Sequence, residues 1–145
     1  MKLTIKDTLE NKDFEWSLVQ LLQNKSISSK ASYWIAKIHK KFVSEAKLYD
    51  EVRIKALKKY ATLDEKGDFA PNATEPGKAM FENEEKVAAW NKEYKELLEQ
   101  EINLPTMPVA YLLEDGAKVE GVHFINLDAI LVDTAVMGNQ NELTQ

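Results

Sequence analysis

From Lys30 to Tyr60 no glycine or proline interrupts the chain, and Ala31, Ile35, Ile38, Phe42, Glu45, Tyr49, Val52, Ala56 and Lys59 recur at alternating steps of four and three. All but Glu45 and Lys59 are apolar or aromatic, the spacing that sets one face of an α-helix against a core. Trp34, Ala46 and Leu57 widen that face beyond a narrow coiled-coil seam. Some 31 helical residues make a rod of roughly 46 Å, roughly two to three times the average helix length. Because isolated helices are marginal in water, such a rod needs a partner along most of its surface.

The best partner within the chain begins at about Ala79. Met80, Phe81, Val87, Trp90, Tyr94, Leu97, Leu98 and Ile102 fit a helix to about Glu101. Between the two lies an irregular connection over about 62–78, where Asp64-Glu65-Lys66-Gly67-Asp68 reads as a turn and Pro71, Pro76 and Gly77 are breakers. A connection of that length turns the chain back, so the sequence predicts a long antiparallel helical hairpin. Phe69, an isolated aromatic in this polar loop, is expected to be half-buried. Upstream, Trp16, Leu18, Val19, Leu21 and Leu22 predict a helix over about 13–23, preceded by a short element that Thr4 could cap. Asn24 to Ser29 then reads as a loop ending in a serine cap, Ser28 or Ser29.

After Ile102 the pattern changes. Pro105 and Pro108 exclude a helix interior, and Val109 to Leu113 reads as a short extended run before the Asp115-Gly116 turn. Val119, Val122, Phe124 and Ile125 suggest a second extended piece, the two forming a small β-ribbon laid on the hairpin. Asn126 is expected to cap a final helix carrying Leu127, Ile130 and Leu131, with Thr134 and Met137 as further members and Gly138 as its end. A polar tail follows at 139–145. The fold class expected is mainly α: the long hairpin with short flanking helices and a small extended or β-ribbon segment near the C-terminus, in one domain over 1–145, as 145 residues suggest.

Charge bears on what this scaffold could meet. Residues 30–60 hold nine basic side chains against three acids, a local charge of +6, whereas 82–101 hold seven acids against three lysines, a local charge of −4. The two helices are electrically complementary, which helps select their pairing although exposed ion pairs contribute only about 0–1 kcal/mol each. A solvated face paired to the acidic helix therefore accounts for Lys37, Lys40, Lys41 and Lys47 more simply than a nucleic-acid footprint does, and the overall charge of −5 argues the same way. The absence of cysteine removes disulfides and thiolate metal sites. The opening MKLTIKDTLENKDFEW mixes acids with apolar residues, unlike a secretory signal, and no apolar run approaches the roughly 18 residues a membrane span requires.

No recognisable catalytic, cofactor or metal constellation is present. His39 and His123 belong to no HxxxH or HExxH arrangement; His39 reads as a boundary residue and His123 as a hydrogen-bonding residue of the ribbon. The acids around Gly67 lack the ligand spacing of a calcium loop, and Glu75-Pro76-Gly77-Lys78 has neither the glycines nor the hydroxyl of a phosphate loop. Ser26, Ser28, Ser29 and Ser32 are explained by capping. Core packing is the simpler role for Trp16, Trp34 and Trp90. Tyr33 beside Trp34, together with Tyr49, nevertheless offers aromatic anchors for a protein interface. The run Ile130, Leu131, Val132, Ala135, Val136 and Met137 is apolar on more than one side, which favours oligomerisation or docking to a larger assembly.

The order of parts resembles a family of small uncharacterised phage and prophage proteins. The matching pieces are the start Met1-Lys2-Leu3-Thr4, the lysine-rich helix ending Lys59-Tyr60, the turn Asp64-Glu65-Lys66-Gly67, the exit Leu97 to Pro105, and Leu127 to Leu131. The chain departs from that pattern in the Pro71 to Gly77 segment and in the longer Leu112 to Phe124 stretch. The resemblance implies a viral setting, in the host cytoplasm and the virion, and no catalytic residues. The expected function is a non-enzymatic one exercised through protein contacts or homo-oligomerisation, as a minor virion or assembly component. Two alternatives stand beside it: an early protein that binds and inhibits a host factor, and a nucleic-acid-binding module using the basic helix.

Overall fold

A computed structural model describes residues 3–133. The fold is mainly helical, with a short two-stranded sheet near its C-terminal end. In chain order it contains α1 (Lys12–Leu22), α2 (Ser29–Lys58), α3 (Glu84–Leu98), β1 (Met107–Pro108), a 3-10 turn (Val109–Leu112), α4 (Gly121–Asn126), a second 3-10 turn (Asp128–Ile130) and β2 (Leu131–Val132). Two compact units result. The first joins residues up to Glu45 with those from Glu101 onward, and the second is Ala46–Gln100, so the division falls inside α2.

Helix ends follow local chemistry. Asn11 caps α1 by accepting from the backbone N–H groups of Asp13 and Phe14, and Ser28 starts α2 by accepting from Ala31 N–H at 3.1 Å. Before α1, Thr4 closes a turn: its hydroxyl accepts from Asp7 N–H and donates to the Asp7 carboxylate.

In the first unit α1 contributes Phe14, Leu18 and Leu21 to the core, and α2 contributes Ala31, Ile35, Ile38 and Phe42. Ile5, Ile27, Ile102, Leu104, Met107, Leu112, Leu127 and Ile130 complete it, and the rings of Phe14 and Phe42 stack at 5.8 Å.

The C-terminal part of this unit differs from the sequence expectation. Val109–Leu112 is a 3-10 turn and 121–126 is α4, so neither forms a ribbon strand. The strands are instead Met107–Pro108 and Leu131–Val132, paired in parallel with Met107 opposite Leu131. Parallel pairing requires a long crossover, which 109–130 supplies. The cause of the difference is His123: with Leu127 and Ile130 it completes an inward series at helical steps of four and three, while Val122 and Ile125 face solvent. Asn126 accordingly ends α4 rather than capping a new helix, and the chain extends at Leu131. Of the predicted final helix and tail, Thr134, Val136, Met137, Gly138 and 139–145 lie outside the described residues.

The second unit holds the C-terminal half of α2, a loop and α3. Asp64 shapes the loop by accepting from the N–H groups of Lys66 and Asp68, with Gly67 at φ 83° between them. Phe69 is half-buried, with Lys58 Nζ 5.7 Å from its ring centre. Phe81 pairs with Ala61 in an isolated antiparallel bridge, which holds 79–83 out of the helix; α3 starts later than the periodicity predicts, at the Asn83 cap, whose side chain accepts from Lys86 N–H. Only Tyr49, Ala56 and Ala61 are buried apolar residues of this unit, and α3 buries none of its side chains completely.

Candidate protein-contact surface

Within the second unit, α2 and α3 flank an open groove of about 410 Å³. Val52 and Ala56 from α2 and Leu97 from α3 give it an apolar lining; Lys55, Lys59, Glu93, Glu96 and Gln100 supply its polar atoms. Leu48, one turn before Val52 on the same side of α2, is 56% exposed, and Val52 itself is 42% exposed. The side chains are in place because the stripe of α2 drifts: its centre, Tyr49 and Ala56, turns inward, while Leu48 and Val52 fall at its edge.

One ion pair joins this part of the chain to α3 among the described residues. Lys59 Nζ lies 2.8 Å from Glu93 Oε1. The hydrogen bond from Lys59 is the main cause that holds the Glu93 carboxyl below its ordinary value, against partial burial, with the Tyr60 hydroxyl acting in the same direction. Reciprocally, Lys59 is raised by Glu93, and Tyr60 is raised first by the neighbouring Glu93 carboxylate and then by burial. Three further ion pairs are local in sequence, Lys41 with Glu45, Arg53 with Asp50 and Lys86 with Glu82.

The residues singled out from sequence are distributed unevenly. Tyr33 is 56% exposed and meets half-buried Trp34 edge-on at 6.4 Å. Lys37 lies 4.6 Å from the Trp34 ring centre and 5.4 Å from that of Tyr33, so its charge is engaged with these rings. Lys40, Lys41 and Lys47 are exposed, Lys41 with its Glu45 partner 3.1 Å away. Tyr49 is 5% exposed and Ile130 fully buried, which corrects their reading as interface anchors: each sits on the inward stripe of its own unit and is unavailable to a partner. Leu131 and Val132 are half-buried in β2. Val136 and Met137 lie outside the described residues.

Sequence reasoning missed two arrangements. The exposed series on α2 was legible as apolar residues off the main stripe, Val43, Leu48 and Ile54, each more than a third exposed. The other is buried. Ser17 Oγ lies 2.8 Å from His123 Nδ1 and accepts from Asn126 Nδ2 at 2.9 Å, while Trp16 packs on the His123 ring at 5.0 Å. His123 thus fastens α4 to α1 rather than serving a ribbon. Ser17 is completely buried, so the pair is a structural clamp, not an accessible nucleophile.

Among the described residues no three His, Asp or Glu side chains gather to hold a metal ion, and no helix is long and apolar enough to cross a membrane. No family model, curated protein or solved structure matches the chain.

Proposed function

We propose that the protein is non-enzymatic and acts by docking α2 against another protein. The observation that carries this reading is that a single helix leaves Tyr33, Val43, Leu48, Val52 and Ile54 exposed to water. Scattered apolar side chains are ordinary on a protein surface; on the N-terminal half of α2, however, exposed Tyr33 and Val43 stand with exposed Lys37 and Lys40, and together they supply the contact area and the steering charge that an acidic, partly apolar partner surface uses. The reading includes the helical hairpin: the C-terminal half of α2 and α3 run back antiparallel, supported by the Ala61–Phe81 bridge and the Lys59–Glu93 pair. The setting is that of a phage particle or its assembly, supported by the resemblance in the order of parts.

A photo-crosslinking residue placed at Val43 tests the reading in cells that carry the phage. The expected result is a discrete adduct with one protein, absent when the same residue is placed at Glu65 in the exposed loop. Equal, diffuse labelling from both positions would sink it. A partner that is a particle component supports the assembly role, whereas a host protein makes the chain an inhibitor of that protein.

A further inference from the structure

We infer that the groove of the second unit is closed by the same groove of a second copy, giving a two-fold dimer in which Lys55 of each chain faces Glu96 of the other. The inference rests on the protein-contact reading and names one partner for one part of the surface. Three observations carry it.

The first is the deficit of core. Residues 46–100 bury only three apolar side chains, and α3 none, although Val87, Trp90, Tyr94, Leu97 and Leu98 lie along it half-buried. Two amphipathic helices make a two-layer sandwich with one side of each left wet; two such pairs back to back make a four-helix arrangement with an inside. The second is the groove itself, whose apolar lining of Val52, Ala56 and Leu97 continues onto exposed Leu48. The third is charge. Lys55 from α2 and Glu96 from α3 line the same groove, both are exposed, and neither forms an ion pair with a described residue. A heterologous partner would have to supply an acid for one and a base for the other. A two-fold axis supplies both at once, since every contact between copies is made twice with the roles exchanged.

Sedimentation of the full chain over about 1–100 µM provides the first reading, a mass that rises from one chain to two. Lys55→Glu and Glu96→Lys each place like charges across both symmetric contacts, and each is expected to weaken self-association at least about tenfold. Both positions are exposed, so the variants fold, which circular dichroism checks. Mixing the two variants then restores the dimer, because in the mixed pair the side chains at 55 and 96 carry opposite charges across both contacts, as they do not in either variant alone. A wild-type chain that stays monomeric throughout overturns the inference. So does a dimer indifferent to both reversals, or a mixture that fails to recover. A monomer that still gives a discrete Val43 adduct leaves the broader docking function standing; a dimer that crosslinks only to itself removes the second protein from that function and keeps the dimer.

Discussion

The two units build helices from similar material and finish them differently. In the first, α1 and the N-terminal half of α2 share a core with Ile102, Leu104, Met107, Leu112, Leu127 and Ile130 from the C-terminal part of the chain. In the second, the remainder of α2 meets α3 and a polar loop, and nothing within the unit covers the other side. Hydrophobic burial is roughly proportional to the area withdrawn from water, so the first unit is the stable body and the second is stabilised weakly by its own chain. The helix shared by both therefore has one end in a closed core and the other in an open one. The comparison breaks most readily at the aromatic residues. Phe14→Ala removes a ring 1% exposed and stacked on Phe42, and is expected to cost about 3–5 kcal/mol in urea unfolding. Trp90→Ala removes a larger ring, stacked on Tyr94 at 5.2 Å but half-buried, and is expected to cost only roughly 1–2 kcal/mol. Equal losses would show the two units to be equally well packed.

The Ser17–His123–Asn126 cluster gives the next largest effect. Ser17→Ala leaves the inner nitrogen of His123 and the Asn126 amide without their shared oxygen in a buried site, a loss of about 1–3 kcal/mol. It should be accompanied by faster amide exchange in 121–127, since the clamp holds α4 on α1. In the second unit the Lys59–Glu93 bond across elements lies at the surface instead.

How much of this is legible in the sequence follows from whether each element's inward residues are apolar. The sequence places α1 and α2 to within one or two residues of 12–22 and 29–58 because Leu18, Leu21, Ile35, Ile38 and Phe42 mark the core face unmistakably. It suggests a strand where α4 lies because the inward position there is a histidine and the exposed ones, Val122 and Ile125, are apolar. The sheet is illegible for a different reason: two strands of two residues each, paired from 107 to 131, leave no periodicity, and their register is set by the layers they close. For the contact surface, Tyr49 shows the limit of residue type as a guide. A tyrosine suits an interface, but its place seven residues after Phe42 on the inward stripe settles its burial.

Helix caps sharpen the comparison at a smaller scale. Asn11 accepts from two backbone N–H groups and also donates to the Asp7 carbonyl, whereas Asn83 accepts from one. Replacement by alanine is expected to cost about 1–2 kcal/mol at Asn11 and about 0.5–1 kcal/mol at Asn83, read from thermal unfolding. Because α3 has no fully buried side chain, the smaller loss at Asn83 should produce the larger change in local amide exchange, confined to the first turn of α3.

The smallest effect comes from pH, and it separates the units by chemistry rather than by packing. Glu93 is held below its ordinary value, so its contribution is complete above the unfolded carboxyl value near 4.5 and disappears as pH falls through the lower folded value. Lys59 and Tyr60 are both raised. Their contributions are complete below the unfolded values near 10.5 and 10.0 and disappear as pH rises through the higher folded ones. All three groups reach solvent, and screening by salt keeps the change small. Variants retaining a single tryptophan make it visible: Trp90 reports the second unit, and Trp16 the first. The Trp90 signal should lose stability at both ends of the pH range and do so less at high salt, while Glu93→Gln abolishes the acid limb and weakens the alkaline one. A Trp16 signal with the same two limbs, equally sensitive to Glu93→Gln, would show the units unfolding as one cooperative body and end the distinction between them.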